Sequence, residues 1–220
     1  MEPPQPLAIL FQDEWIVAVD KPAGQLVHPG KNTEPTDEVT MKILRDQVGQ
    51  HVYVLHRLDR PTCGVLLFAT DRNAARVMHL AFRESALQKI YWAIADGQPT
   101  DQQWLCHTPL QKEEDAIPQS AETEFRVLEC LPDDLSLIEA KPRTGRYHQI
   151  RRHLLEAGQP IVGDYRYSGV ERSNTLGLKL GTGTRMLLQA KSLQFQHPIT
   201  HEDIFIEATV DPLIQKCRDR

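Results

Sequence analysis

Short apolar runs broken by polar turns open the chain. Leu7 to Phe11 and Trp15 to Val19 each read as a strand with Gln12-Asp13-Glu14 between them, and Lys21-Pro22-Ala23-Gly24 ends the second, which predicts a hairpin. The spacing becomes helical from Val39 to Val48, with Met41, Leu44 and Val48 on one face, Asp37 as cap and Gly49 as stop. Gly64 to Ala69 is β-rich, and Asp71 then caps a helix through about Phe82 that buries Ala74, Val77, Met78 and Ala81. Ile90 to Ala95 predicts another strand, and Phe125 to Cys130 pairs with Leu135 to Ala140 across Pro132-Asp133-Asp134. A helix from Tyr147 to Ala157 closes at Gly158, and strands follow around Met186 to Phe195 and Ile204 to Val210. Three stretches lack a period. Met1 to Pro6, with three prolines, reads as a loose tail; Gln98 to Ala121 is a polar, exposed excursion; Gly163 to Arg185, rich in Gly, Ser and Thr, reads as a loop. Three or four helices among many strands, with no internal repeat, imply an α+β domain on a mixed or largely antiparallel sheet.

At 220 residues and 40% hydrophobic content, the chain is expected to fold as one domain over residues 7–220. Its longest apolar runs, around Leu7 to Leu10, Val65 to Ala69 and Met186 to Leu188, are too short to cross a bilayer, and no secretory signal is visible. A cytoplasmic monomer without a membrane partner is expected. Cys63, Cys106, Cys130 and Cys217 show no C-x-x-C spacing, which argues against a disulfide framework or a zinc knuckle. The net charge of −5 argues against non-specific coating of nucleic acid, so any RNA site must be a local basic patch.

Chemistry concentrates in three stretches. In His56-Arg57-Leu58-Asp59-Arg60-Pro61-Thr62-Cys63-Gly64, flanking arginines favour the ionised form of Asp59, as a nucleophile requires; the same residues would also suit a loop ion-pair network. Lys141 to His153 carries five Lys or Arg and no acid, and a Gly turn entering a helix there offers a phosphate site at Arg146 and His148, or simply a solvated basic face. His148 and His153 are five apart, poorly placed to share a metal on one helical face. In Gln88-Lys89-Ile90-Tyr91-Trp92, strand alternation sends Tyr91 to the face opposite Ile90 and Trp92, as a packing residue or a functional one.

Together these residues resemble the RluA-type RNA pseudouridine synthase family, whose catalytic loop reads H-R-L-D-x-x-T-S-G, matched here by His56 to Gly64. Lys21-Pro22-Ala23-Gly24 with Val27-His28-Pro29 resembles the family's first motif. Lys89-x-Tyr91 resembles its tyrosine motif, and Thr144-Gly145-Arg146-x-His148-Gln149-Ile150-Arg151 its late arginine motif. Gly163-Asp164 and His197-Pro198 also fit, and four ordered motifs are far more specific than one. Cys63 departs from the usual serine, which touches a loop-stabilising bond more than the chemistry.

The resemblance implies an α/β catalytic domain with a long mixed, mostly antiparallel sheet flanked by helices and a central active-site cleft, without the S4 RNA-binding domain of some relatives. It makes Asp59 the catalytic aspartate, Tyr91 the active-site tyrosine, Arg151 the partner of Asp59, and Arg57 the residue that displaces or replaces the flipped base. His56, Arg60, Lys89, Arg143, Arg146, His148 and Arg152 are the expected RNA contacts. No cofactor and no metal are implied, because the isomerisation gains and loses no group. Asp59 would attack C1′ or assist loss of the C2′ proton, and both routes use one ionised carboxylate. Tyr91 is the candidate base for the C5 proton, since a neighbouring cation lowers a phenol pKa. The stretch Leu44 to Thr62 is most similar to the bacterial tRNA members that modify uridine 65, in the stem below the acceptor end. The alternatives are a ribosomal RNA substrate, an RNA-binding or RNA-folding protein without catalysis, and a histidine-based metal hydrolase. Retention of Asp59, Tyr91 and Arg151 together speaks against the non-catalytic reading.

Overall fold

A computed structural model describes residues 4–31, 33–84, 87–113 and 115–220. Its backbone contacts divide the chain into two compact units, one of residues 1–88 and 190–209, the other of residues 89–189 and 210–220.

The first unit opens with the hairpin β1 (Ala8–Gln12) and β2 (Ile16–Lys21), paired antiparallel with Ala8 opposite Asp20. The Asp13 carboxylate closes its turn by accepting from the N–H groups of Trp15 and Ile16. After α1 (Thr40–Val48) and β3 (Tyr53–Val54), β4 (Cys63–Ala69) lies antiparallel to β2 and is buried along its whole length. Asp71 caps α2 (Arg72–Glu84) as expected, accepting from Asn73 and Ala74, and this helix buries Ala74, Ala75 and Met78. β9 (Leu188–Gln196), most of which belongs to this unit, neighbours β4 and pairs with β10 (Asp203–Glu207). Ile16, Ala18, Val65, Leu67, Met78, Leu193 and Ile206 form the core of the unit.

In the second unit, β5 (Gln88–Asp96), β8 (Leu135–Pro142), β7 (Thr123–Leu131) and β6 (Gln103–Cys106) follow one another as antiparallel neighbours. Asp133 and Asp134 both take positive φ, the left-handed pair that a tight β7–β8 turn requires. Helices α3 (Gln149–Glu156), α4 (Val170–Leu180) and α5 (Pro212–Arg218) complete the unit, whose core joins Ile94, Leu137, Val162, Leu176, Leu187 and Ile214. Ten strands, mostly antiparallel, and five helices among the described residues make this an α/β protein. No helix among them is long and apolar enough to cross a membrane.

Several local expectations need correction. Gln98 to Ala121, of which Glu114 lies outside the described residues, holds β6 and an antiparallel bridge between Leu110 and Gln119. The expected loop from Gly163 to Arg185 contains the three-turn helix α4, and α5 was not anticipated. α1 has no side-chain cap, because its cap position is Val39; Asp37, two residues earlier, accepts instead from the Glu34 N–H and the Arg60 guanidinium. α3 starts at Gln149 rather than Tyr147, since His148 stands in the left-handed region. Of the expected tail, Met1 to Pro3 lie outside the described residues, while Pro4 to Pro6 are exposed and without regular structure.

Candidate active site

In the first unit, Asp59 lies in the turn between β3 and β4, half-buried, with its carbonyl accepting from the Thr62 N–H at 3.0 Å. Leu58 and Thr62 are buried on either side and fix the turn; Arg57 is exposed. The turn is stitched to the Lys-Pro-Ala-Gly motif. Lys21, fully buried, donates from Nζ to the carbonyls of Pro22 at 2.7 Å, Gln25 at 2.9 Å and Arg60 at 3.2 Å. Gly24 N–H donates to the Arg60 carbonyl at 2.8 Å, and Arg60 Nε returns a bond to the Gly24 carbonyl at 2.8 Å. Arg60 Nη2 reaches Asp37 at 2.8 Å, so this guanidinium is committed to the loop framework. His56 accepts from the Leu67 N–H at 3.1 Å through Nε2, which ties the start of the turn to β4. Burial, with help from the charge of Arg57, pushes the His28 pKa below its ordinary value. At the far end Gly64 has φ +105°, and a Cβ there would lie 2.2 Å from the Ala190 carbonyl oxygen, so only glycine fits where β4 meets β9. Cys63 beside it is buried.

In the second unit, the late arginine motif is organised by Gln149. Its Oε1 accepts from the Thr144 hydroxyl at 2.7 Å and the Arg146 N–H at 2.9 Å, and its Nε2 donates to the Glu122 carbonyl and to Thr123 Oγ1, each at 2.9 Å. The Arg146 N–H, which the sequence offered to phosphate at the helix start, is therefore already taken. Arg151 is buried and grips Asp164 with two bonds, and its guanidinium lies 5.0 Å from the centre of the Tyr167 ring. Burial raises the Tyr167 pKa although Arg151 and Arg166 pull it down. Tyr91, on β5 opposite Ala140 of β8, is buried, while Ile90 and Trp92 are half-buried, as strand alternation predicts. Burial lowers the pKa of the Lys89 ammonium.

The run from Lys141 to His153 holds no acid in sequence, yet the fold brings acids to it. Lys141 lies 3.2 Å from Glu139, Arg143 lies 2.6 Å from Glu122 and 3.6 Å from Glu124, and Asp164 meets Arg151. Arg152 donates to the Gln111 carbonyl at 2.7 Å, and Arg146 Nε to the Ser120 carbonyl at 3.0 Å. The expectation of a uniformly free basic face is corrected: the charges are largely paired across strands, and Arg146 and the unanticipated Arg166 remain exposed. Tyr147, Tyr167 and Arg166, which the sequence reading did not single out, pack around His148 and Arg151. Asp164 could have been found, since its Gly163-Asp164 motif was visible. No cluster of three or more His, Cys, Asp or Glu side chains among the described residues is placed to hold a metal.

A buried carboxylate-gripped arginine, a pinned aspartate turn and a strand tyrosine are the parts that the sequence motifs named, and comparison with known proteins gives the family that carries them. Residues 15–156 match the pattern of the RNA pseudouridylate synthases, and the chain belongs to that family. It is 39% identical over 224 residues to the tRNA pseudouridine synthase C of Pasteurella multocida, covering 93% of this chain and 92% of that one. The protein of the same name from Vibrio parahaemolyticus is 38% identical over 237 residues, covering 99% and 96%. Among solved structures, human RNA pseudouridylate synthase domain containing 4 superposes with a TM-score of 0.76 at 25% identity, covering 96% of this chain and 91% of that one. Human RNA pseudouridylate synthase domain containing 1 gives 0.75 at 26%, covering 96% and 87%.

Proposed function

We propose that this RNA pseudouridine synthase acts on tRNA, converting uridine 65 in the stem below the acceptor end, and that it works as a cytoplasmic monomer without a cofactor. The observation that carries the reading is near-complete alignment, at 38–39% identity, with relatives named as tRNA enzymes. The reaction breaks the N1–C1′ bond, turns the base and joins C5 to C1′, so every atom of the uridine is retained. Extracting the base from its stack costs a few kcal/mol, which contacts to the flanking backbone must offset. Asp59 supplies the ionised carboxylate, by attack at C1′ or by assisting loss of the C2′ proton. Arg151, with its plane fixed by Asp164, is the cation that works with that carboxylate, Tyr91 takes the C5 proton, and Arg57 occupies the space left by the base. The RNA contacts in this reading are His56, Lys89, Arg143, Arg146, His148 and Arg152, while Arg60, first expected among them, holds the loop through Gly24 and Asp37. Support for these roles comes from the motif match and from the rigid setting of each group: the Asp59 turn is held by Lys21 and Thr62, and Arg151 by a buried carboxylate.

The test is pseudouridine mapping by carbodiimide and primer extension on tRNA and ribosomal RNA from a strain lacking the gene, rescued with wild type or with Asp59→Asn. Loss of one tRNA site, restored by wild type alone, is the expected result. Loss of a ribosomal site instead would refute the tRNA reading, and equal rescue by Asp59→Asn would remove Asp59 from its role.

A further inference from the structure

An aromatic cluster at the entry to α3 has no part in the chemistry above. His148 takes φ 54°, a left-handed conformation with a conformational cost, and this turns its ring onto Tyr147 with centroids 3.7 Å apart and planes 22° from parallel. His148 Nδ1 lies 3.0 Å from the Tyr167 hydroxyl, and the two rings meet edge to face at 89°. Arg166 Nη1 donates to the Tyr147 hydroxyl at 3.2 Å, and its guanidinium lies 5.7 Å from the Tyr147 ring centre and 5.9 Å from that of Tyr167. Tyr147 is thus oriented by two neighbours, yet it stays 38% exposed. His148 covers one face and the Arg166 guanidinium lies towards the hydroxyl end, and the exposure is what these two neighbours leave to solvent. Arg166 is exposed and, among the described residues, has no carboxylate partner, unlike Lys141, Arg143 and Arg151.

We propose that the outer face of Tyr147 is a stacking platform for one unpaired or splayed base of the RNA substrate, with Arg166 holding the adjacent phosphate. Proteins take hold of unstacked bases by aromatic faces and guanidinium planes, and the neighbouring cation binds backbone. A ring already fixed by His148 and Arg166 loses little side-chain freedom on binding, which favours recognition over mere packing. A phosphate on Arg166 also meets a charge that no acid has neutralised.

The inference rests on the RNA-modifying reading, and the experiment separates the two. Binding of unmodified tRNA and initial rates of pseudouridine formation are measured for wild type, Tyr147→Leu, Tyr147→Phe and Arg166→Gln, with melting curves to verify folding. Tyr147→Leu is expected to raise Kd and KM about tenfold with kcat little changed, and Tyr147→Phe to recover most of that loss. Arg166→Gln is expected to reduce the slope of log affinity against log salt by about one. A wild type that converts tRNA beside a Tyr147→Leu variant of unchanged Kd and KM overturns the platform, and an unchanged salt slope in Arg166→Gln overturns the phosphate contact. A wild type that converts no RNA overturns the enzymatic reading, and this inference with it.

Discussion

Arg151 and Asp164 form a two-pronged ion pair sealed from water, with Nε 2.7 Å from Oδ2, Nη2 2.8 Å from Oδ1, and side chains only 6% and 2% exposed. The fork geometry fixes the guanidinium plane, which a lysine could not do. Such a pair gives little net stability against apolar residues of similar volume, but removal of Asp164 takes two charge-assisted bonds from a buried guanidinium. Asp164→Ala is therefore expected to lower unfolding stability by about 3–5 kcal/mol, and Arg151→Met with Asp164→Leu to recover much of it. Urea unfolding of the three chains checks this. An Asp164→Ala midpoint close to wild type would show that Arg151 reaches another partner.

Local chemistry made much of the fold legible in sequence. Asp71 before α2 and the Pro132-Asp133-Asp134 turn act within a few residues, and the structure has both as expected. What escaped depends on distant partners. α4 carries Gly177 in its interior, where a Cβ would lie 2.2 Å from the Gly183 carbonyl oxygen; the close return of the chain, not helix propensity, selects that glycine. Asp37 had the right type for a cap, but the helix starts two residues too late for it, at a Val39 cap position, and Arg60, remote in sequence, claims its carboxylate. The acids that pair with the basic stretch come from β7, β8 and their approaches, so charge counted along the sequence overstated the free patch. α5 is a different case. Asp211 before Pro212 is a local start signal, and its carboxylate does accept from Leu213 N–H. The candidate residues themselves were readable because the motifs are contiguous, whereas Tyr147 and Arg166 gain meaning only from each other.

Lys21 illustrates a buried charge used as a clamp. Its three carbonyl partners are the backbone of the first motif and of Arg60, the residue after Asp59. Lys21→Met keeps the stem volume and deletes the donor, leaving carbonyls under-satisfied at about 1–3 kcal/mol each before relaxation. A folded protein destabilised by about 3 kcal/mol, with kcat reduced more than KM is raised, is the expected result, since the carboxylate is loosened while the RNA contacts persist. Denaturant unfolding and steady-state kinetics on tRNA measure the two effects. Normal kcat in a folded Lys21→Met enzyme would mean that the turn holds its shape without the clamp.

His153 sets a pH dependence whose sign follows from its bonds. The ring is fully buried, with Nε2 3.1 Å from the Thr108 carbonyl and Nδ1 2.9 Å from Thr123 Oγ1. A carbonyl only accepts, so Nε2 carries the hydrogen; Nδ1 then accepts from the Thr123 hydroxyl, whose oxygen is free to accept from Gln149 Nε2. This arrangement needs a neutral ring. Burial accordingly pushes the pKa below the ordinary 6.5, although the Thr108 bond and the charge of Glu156 oppose it. His197 moves the same way, also chiefly through burial. Below pH 6.5 the unfolded chain binds protons that the folded chain refuses, so the stability from these rings is complete above that pH and declines as pH falls towards the folded values. Wild type should thus unfold more easily at about pH 5.5 than at about pH 7.5, and His153→Gln, weaker at neutral pH, should lose less over that interval. Parallel stability curves for the two chains, measured by urea unfolding across the range, would rule out His153 as a source of the acid sensitivity.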